Sequence, residues 1–133
     1  MRKTLLSILF SVAFAGMVQA QITKCKASTF SFREKAQGAS QWTRWSSPVN
    51  VDILISIDDA NKRMQIFSDQ EQVYDIIRDH GVSKNRKGEN EHKWECINEK
   101  GIRCYVYVIN TASGSELSVE FSDLSWKYKV RII

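Results

Sequence analysis

An all-β fold, an antiparallel barrel or barrel-like sandwich of about eight strands, is what this sequence predicts, on three observations. Apolar and polar residues alternate with a spacing of two through several stretches between Val49 and Ile132, the period of a strand with one buried face. Turn-forming clusters such as Asp58-Asp59-Ala60-Asn61 and Asn98-Glu99-Lys100-Gly101 interrupt that alternation at short intervals, which chains neighbouring strands as hairpins. Pro48 is the single proline, and no Pro- or Gly-rich linker divides the chain.

The first element is not part of the fold. Met1-Arg2-Lys3 precedes an apolar run from Leu5 to Ala15, and Val18 and Ala20 stand where a signal peptidase reads small residues. Cleavage is expected before Gln21. The run is shorter than the ~20 apolar residues of a membrane span. Cys25 follows Thr23-Lys24 rather than the small apolar residues of a lipoprotein signal. The expected organisation is a cleaved signal peptide over residues 1–20 and a single all-β domain over 21–133, secreted or periplasmic, with no membrane anchor after cleavage. Its ~113 residues suffice for one core and no more. Of 19 Lys and Arg against 15 Asp and Glu, Arg2 and Lys3 fall in the leader. The remainder is only mildly basic, which gives no reason to expect a nucleic-acid partner.

The domain's elements follow in order. An early strand around Lys26–Arg33 carries Phe30 and Phe32, and Trp42 and Trp45 precede the next. Val49, Val51, Ile53, Ile55 and Ile57 share one face of a long strand, with Asn50, Asp52 and Ser56 opposite. Arg63 to Phe67 can return antiparallel after the Asp58–Asn61 turn. The segment 68–80 is open to two interpretations. Ser68-Asp69-Gln70-Glu71 fits a capping box before a short helix ending at Gly81, or a turn into a strand rich in β-branched residues. Strand is favoured because every neighbouring element is one. Strands at His92–Ile97 and Ile102–Asn110 flank the next turn, the second apolar or aromatic on both faces and so expected to be central and covered on both. Leu117, Val119 and Phe121, then Trp126, Tyr128, Val130 and Ile132, form a last hairpin through Ser122–Ser125.

Cys96 and Cys104 stand on either side of the Glu99-Lys100-Gly101 turn. If that is a three-residue loop with Gly101 left-handed, Asn98 pairs with Ile102 and Cys96 faces Cys104. A disulfide between them is expected, since an exported chain permits one, with Cys25 left over.

The Trp42-x-x-Trp45 pair, Ile55-x-Ile57-Asp58, Arg63-Met-Gln-Ile-Phe-Ser and Gln72-Val-Tyr resemble small exported proteins of unknown function from Bacteroidetes-type bacteria. The resemblance spans most of the domain, and its motifs are structural ones that imply no activity.

No catalytic or metal-binding motif stands out. Ser113-Gly114-Ser115 lacks the activating turn of a hydrolase serine, and His80 and His92 are the only histidines. His92 and Cys96 share a strand face but have no further ligands at zinc-site spacing. Asp58 and Asp59 are interpreted as turn formers, and Lys84-Asn85-Arg86-Lys87 as a solvated loop. No cofactor is expected. The aromatic residues remain: Trp42, Trp45, Tyr105 and Tyr107 are the candidate ligand-binding residues. The expected function is a non-catalytic module with a lipocalin-like layout that holds a small apolar or aromatic ligand. The alternatives are a domain that docks an exported protein partner, marked by an open strand edge or apolar patch, and a small exported enzyme, marked by a histidine–carboxylate cluster in a cleft.

Overall fold

The computed structural model describes residues 22–133, so the expected leader and the expected cleavage position lie outside the described residues. From Ile22 onward the alternation becomes strand after strand: β1 Ile22–Glu34, β2 Val49–Asp58, β3 Arg63–Ile66, β4 Gln72–Lys84, β5 Asn90–Asn98, β6 Arg103–Thr111, β7 Gly114–Glu120 and β8 Leu124–Ile132. Each pairs antiparallel with the next, and β8 pairs with β1 to close an eight-stranded barrel in simple up-and-down order. The segment open between helix and strand is the strand β4, and no helix occurs among the described residues.

Alternation along each strand sends one set of side chains inward. Ile55 and Ile57 of β2, Met64 and Ile66 of β3, Val106 of β6 and Leu117 and Val119 of β7 are buried together with Tyr74, Trp94 and Tyr128. A barrel of eight strands has room for about this filling, and burying each large apolar side chain contributes roughly 1.5–3 kcal/mol. The wall is a single layer, which corrects the expectation for residues 102–110. Cys104, Val106 and Val108 point into the core, whereas Tyr105 is exposed on the outer wall. Aromatics on both faces therefore mark a barrel strand with a decorated exterior, not a strand sandwiched between layers.

Strand β3 is much shorter than its neighbours. It pairs with β2 only over Ile55–Asp58 and with β4 only over Gln72–Asp75. Residues 49–53 of β2 thus have no ladder partner on the β3 side at one end of the barrel, and residues 77–84 of β4 have none at the other. The first gap opens into the cleft described below.

The cysteine hairpin forms as its register predicts, but without the disulfide. Gly101 is left-handed (φ 80°), Asn98 N donates to Ile102 O at 2.9 Å, and Cys96 pairs with Cys104. All three cysteines are nonetheless free buried thiols. The register supplies the reason. Hydrogen-bonded and non-hydrogen-bonded pairs alternate along a ladder, and two residues on from the bonded pair Asn98–Ile102 lies another bonded pair. There the side chains are farther from each other than at the intervening positions, toward the wide end of the ~4.5–5.5 Å between facing Cβ atoms and beyond the ~3.5–4.5 Å that a disulfide favours. Burial pushes both the Cys96 and Cys104 thiols up to about 12, which withholds the thiolate that oxidation needs. In a thiol assay with 5,5′-dithiobis(2-nitrobenzoate), the native domain should titrate no thiol, and all three should react in denaturant. A native protein with fewer than three thiols after unfolding would reveal a crosslink.

Candidate functional site

At the end of the barrel where the β3–β4, β5–β6 and β7–β8 turns gather, the interior is left open as a cleft of about 1120 Å³. Its aromatic lining comes from strand ends. Phe30 lies 5.5 Å from Tyr128 and Phe121 5.6 Å from Trp126, centroid to centroid. Val51, Ile53, Phe67, Ile102 and Leu124 complete the apolar walls. Phe30 reaches this position because β1 carries a bulge between Ala27 and Thr29 in its pairings with both β2 and β8. Cys25 and Ala27 are buried before it, and after it Phe30, rather than Thr29, packs against the core. Re-aiming a side chain in this way is what a bulge does.

A polar network crosses the cleft's inner surface. Gln72 and Tyr74, two apart at the start of β4, share a face. Tyr74 Oη donates to Gln72 Oε1 at 2.6 Å. Gln72 Nε2 donates to Tyr128 Oη and to Ser68 Oγ, both at 3.1 Å, and Ser68 Oγ donates to the Gln70 carbonyl at 2.8 Å. Burial raises Tyr74 well above the usual phenol range and Tyr128 above it, so both hydroxyls stay neutral donors and acceptors at physiological pH. One amide thus orients two buried phenols.

The rim carries an excess of negative charge. Asp52, Asp69, Glu71, Glu99 and Asp123 line the cleft, and Lys100 is the single base among its lining residues. Asp52 is held by Lys26 at 2.6 Å, and Glu71 accepts from Gln65 Nε2 at 2.9 Å.

The four aromatic residues singled out from sequence lie elsewhere. Trp42 and Trp45 belong to the long connection after β1, which runs back along that strand: Thr43 N donates to Glu34 O at 2.8 Å and Ser46 N to Phe32 O at 2.7 Å. The Arg33 guanidinium is sandwiched between the two rings, 4.6 Å from Trp42 and 4.5 Å from Trp45. The Lys127 ammonium also lies over the Trp45 ring, 4.4 Å from its centroid. This stack fastens the connection to the barrel's outer wall. Tyr105 and Tyr107 project outward from β6 beneath Lys93, whose Nζ is 4.4 and 5.8 Å from their rings. The four form two separate exterior groups, and none lines the cleft. The aromatics that do line it carried the same alternation signal as the core. What distinguishes them is position, at strand ends that border turns on one end of the barrel.

The remaining polar candidates take structural places. Asp58 accepts from Asn61 N and Nδ2 at 3.1 and 2.9 Å, and these donors hold its carboxyl below the usual carboxylate range. Asn85, within the basic cluster, closes the β4–β5 turn by accepting from Lys87 N and Glu89 N. His92 stacks on Trp94 at 3.7 Å and contacts Asp79 Oδ1 at 2.7 Å. His80 lies 3.5 Å from Glu95, which also pairs with Arg103 at 2.6 Å. Both pairs sit toward the β4–β5 end or on the outer wall, away from the cleft, and neither histidine is bonded to a hydroxyl among the described residues. No three His, Cys, Asp or Glu side chains gather among them as a metal site.

No protein-family model, curated protein or solved structure matches this chain.

Two expectations follow from the buried network and thiols. Gln72→Leu strands both phenol hydroxyls and should cost about 1–3 kcal/mol in urea unfolding, whereas Gln65→Leu, half-buried on the outward face of β3, should change stability by less than about 0.5 kcal/mol. Alkali should unfold the barrel. Cys96, Cys104, Tyr74 and Tyr128 all ionise at higher pH folded than unfolded, so their contribution is complete below the free thiol value of ~8.5. It is lost as pH rises toward about 12, the folded thiol value, because only the unfolded chain releases those protons. The urea midpoint should fall between pH 8 and 11. Tyrosinate absorbance from Tyr74 and Tyr128 should appear together with the loss of circular dichroism, not before it.

Proposed function

We propose that this domain is a non-catalytic binding module of an exported protein, holding one small ligand with an apolar or aromatic body in the open end of the barrel. The observation that carries this reading is the cleft itself: an aromatic lining crossed by the Gln72–Tyr74–Tyr128 network, at the one barrel end that core side chains leave unfilled. Ligand sites combine an apolar lining with a few fixed polar groups in this way. Because Gln72 already holds both phenols, a ligand would find its polar contacts in place and lose little in ordering them. The histidine–carboxylate pairs lie outside the cleft, and the proposal gives them no chemical role.

A second reading, a domain that docks an exported protein partner, draws on the open edge of β4. Residues 77–84 have no strand on the β3 side, and Ile77 and Val82 are exposed there. That edge is interrupted between Ile76 and Arg78 and again between Asp79 and Gly81, and it carries Arg78, Asp79 and His80. Bulges and charges are the devices by which proteins keep edges from pairing, so the cleft supports the leading reading better.

The test is titration with N-phenyl-1-naphthylamine, a neutral aromatic probe whose emission rises on leaving water. Saturable one-site binding is expected, weakened about tenfold or more when Ile102→Trp, at an exposed turn position on the cleft wall, occupies part of the space. Absence of saturation, or equal binding by a folded Ile102→Trp variant, would sink the proposal.

A further inference from the structure

We infer that the ligand is a cation: an amine or ammonium group carried on an apolar or aromatic body. This rests on the cleft being the binding site and adds the charge of its occupant. The chain as a whole carries more basic than acidic residues, 19 against 15. Yet the cleft takes five of those acids and only one base, Lys100. Sequence proximity does not explain the concentration, because Asp69, Glu99 and Asp123 come from three different turns, β3–β4, β5–β6 and β7–β8, which antiparallel closure brings to the same end of the barrel. Two of the five carboxylates are already engaged, Asp52 by Lys26 and Glu71 by Gln65. Among the described residues Asp69, Glu99 and Asp123 make neither an ion pair nor a side-chain hydrogen bond.

Like charges around an opening repel one another, and a folded chain gains nothing by collecting them unless a counter-charge arrives. A low-dielectric wall behind them focuses their field into the opening. The lining suits the same occupant. The faces of Phe, Tyr and Trp rings attract cations, and Phe30, Phe121, Trp126 and Tyr128 all border the space. A carboxylate-bearing ligand would instead meet uncompensated repulsion at the rim. Acidic rim and aromatic lining therefore select the same chemistry, a positive head within reach of the turns and an apolar body within the barrel.

The experiment uses three probes with one aromatic body and different charge: 1-naphthylmethylamine, 1-naphthalenemethanol and 1-naphthylacetate, titrated calorimetrically into the folded domain at pH 7. The amine should bind most tightly and the acetate least, separated by about tenfold or more at low salt. The separation should shrink between about 20 mM and about 500 mM salt as the rim is screened. In the triple variant Asp69→Asn, Glu99→Gln, Asp123→Asn, all at turns, the preference should disappear while the alcohol binds as before; that unchanged binding also shows the cleft intact. Equal affinities for the three probes, or tightest binding of the acetate, would overturn the cation inference and leave the cleft reading standing. Failure of all three, the neutral alcohol included, would overturn both.

Discussion

Everything in this molecule depends on the ladder that joins β1 to β8. It runs from Cys25 opposite Ile132 to Glu34 opposite Leu124 and turns a meander of hairpins into a closed wall. A sheet of this length left open would expose two edges and one apolar face; closed, it has an inside. The inside is where Ile55, Val119 and Cys96 lose all contact with solvent. The same closure carries the bulge after Ala27. Because the shift occurs against both neighbours of β1, the strand can bury small residues at one end of the barrel and offer Phe30 at the other.

The two ends are consequently unlike. Toward the β4–β5 turn, Trp94 fills the interior with His92 stacked above it. Toward the other turns, the aromatic pairs Phe30–Tyr128 and Phe121–Trp126 line an open space, and the short β3 leaves the wall incomplete. The phenols that would be costly to bury alone are satisfied by one glutamine. That amide belongs to the first residue of a strand, so the polar network and the register of β4 are fixed by the same backbone. A shift of one residue in β4 would turn Gln72 and Tyr74 outward together.

The fold was legible in the sequence because period-two alternation has few other causes. The strand faces at Val51–Ile57, Leu117–Phe121 and Trp126–Val130 could be assigned residue by residue, and the Glu99-Lys100-Gly101 turn even gave the pairing of Cys96 with Cys104. What the facing of two residues leaves out is whether they sit at a hydrogen-bonded position, which needs the ladder counted from Asn98–Ile102, and that distinction separates the expected disulfide from the observed thiols. The double-sided pattern of residues 102–110 misled for a similar reason: sequence shows that Tyr105 and Tyr107 are aromatic, not that no second layer of the fold packs over them and only side chains such as Lys93 lie against their rings. The cleft was the least legible feature. Its lining residues look like core in sequence, and the acids of its rim are dispersed over Asp52–Asp123 until closure collects them. Trp42 and Trp45 drew attention by their size, yet their partner is Arg33, a residue no local pattern links to them.

The closing ladder also brings the ends of the described chain together. Ile133 N donates to Lys24 O at 3.0 Å, so β8 finishes beside the start of β1, on the same rim of the barrel and antiparallel to it. A short turn across that gap would make β8 and β1 one more hairpin, equivalent to the others. In topological terms the wall is nearly a ring that has been cut at one of eight comparable seams. Circular permutation, with the ends joined there and new termini opened at the exposed Ala112-Ser113 turn on the same rim, would leave every strand pairing in place and the cleft at the opposite rim untouched.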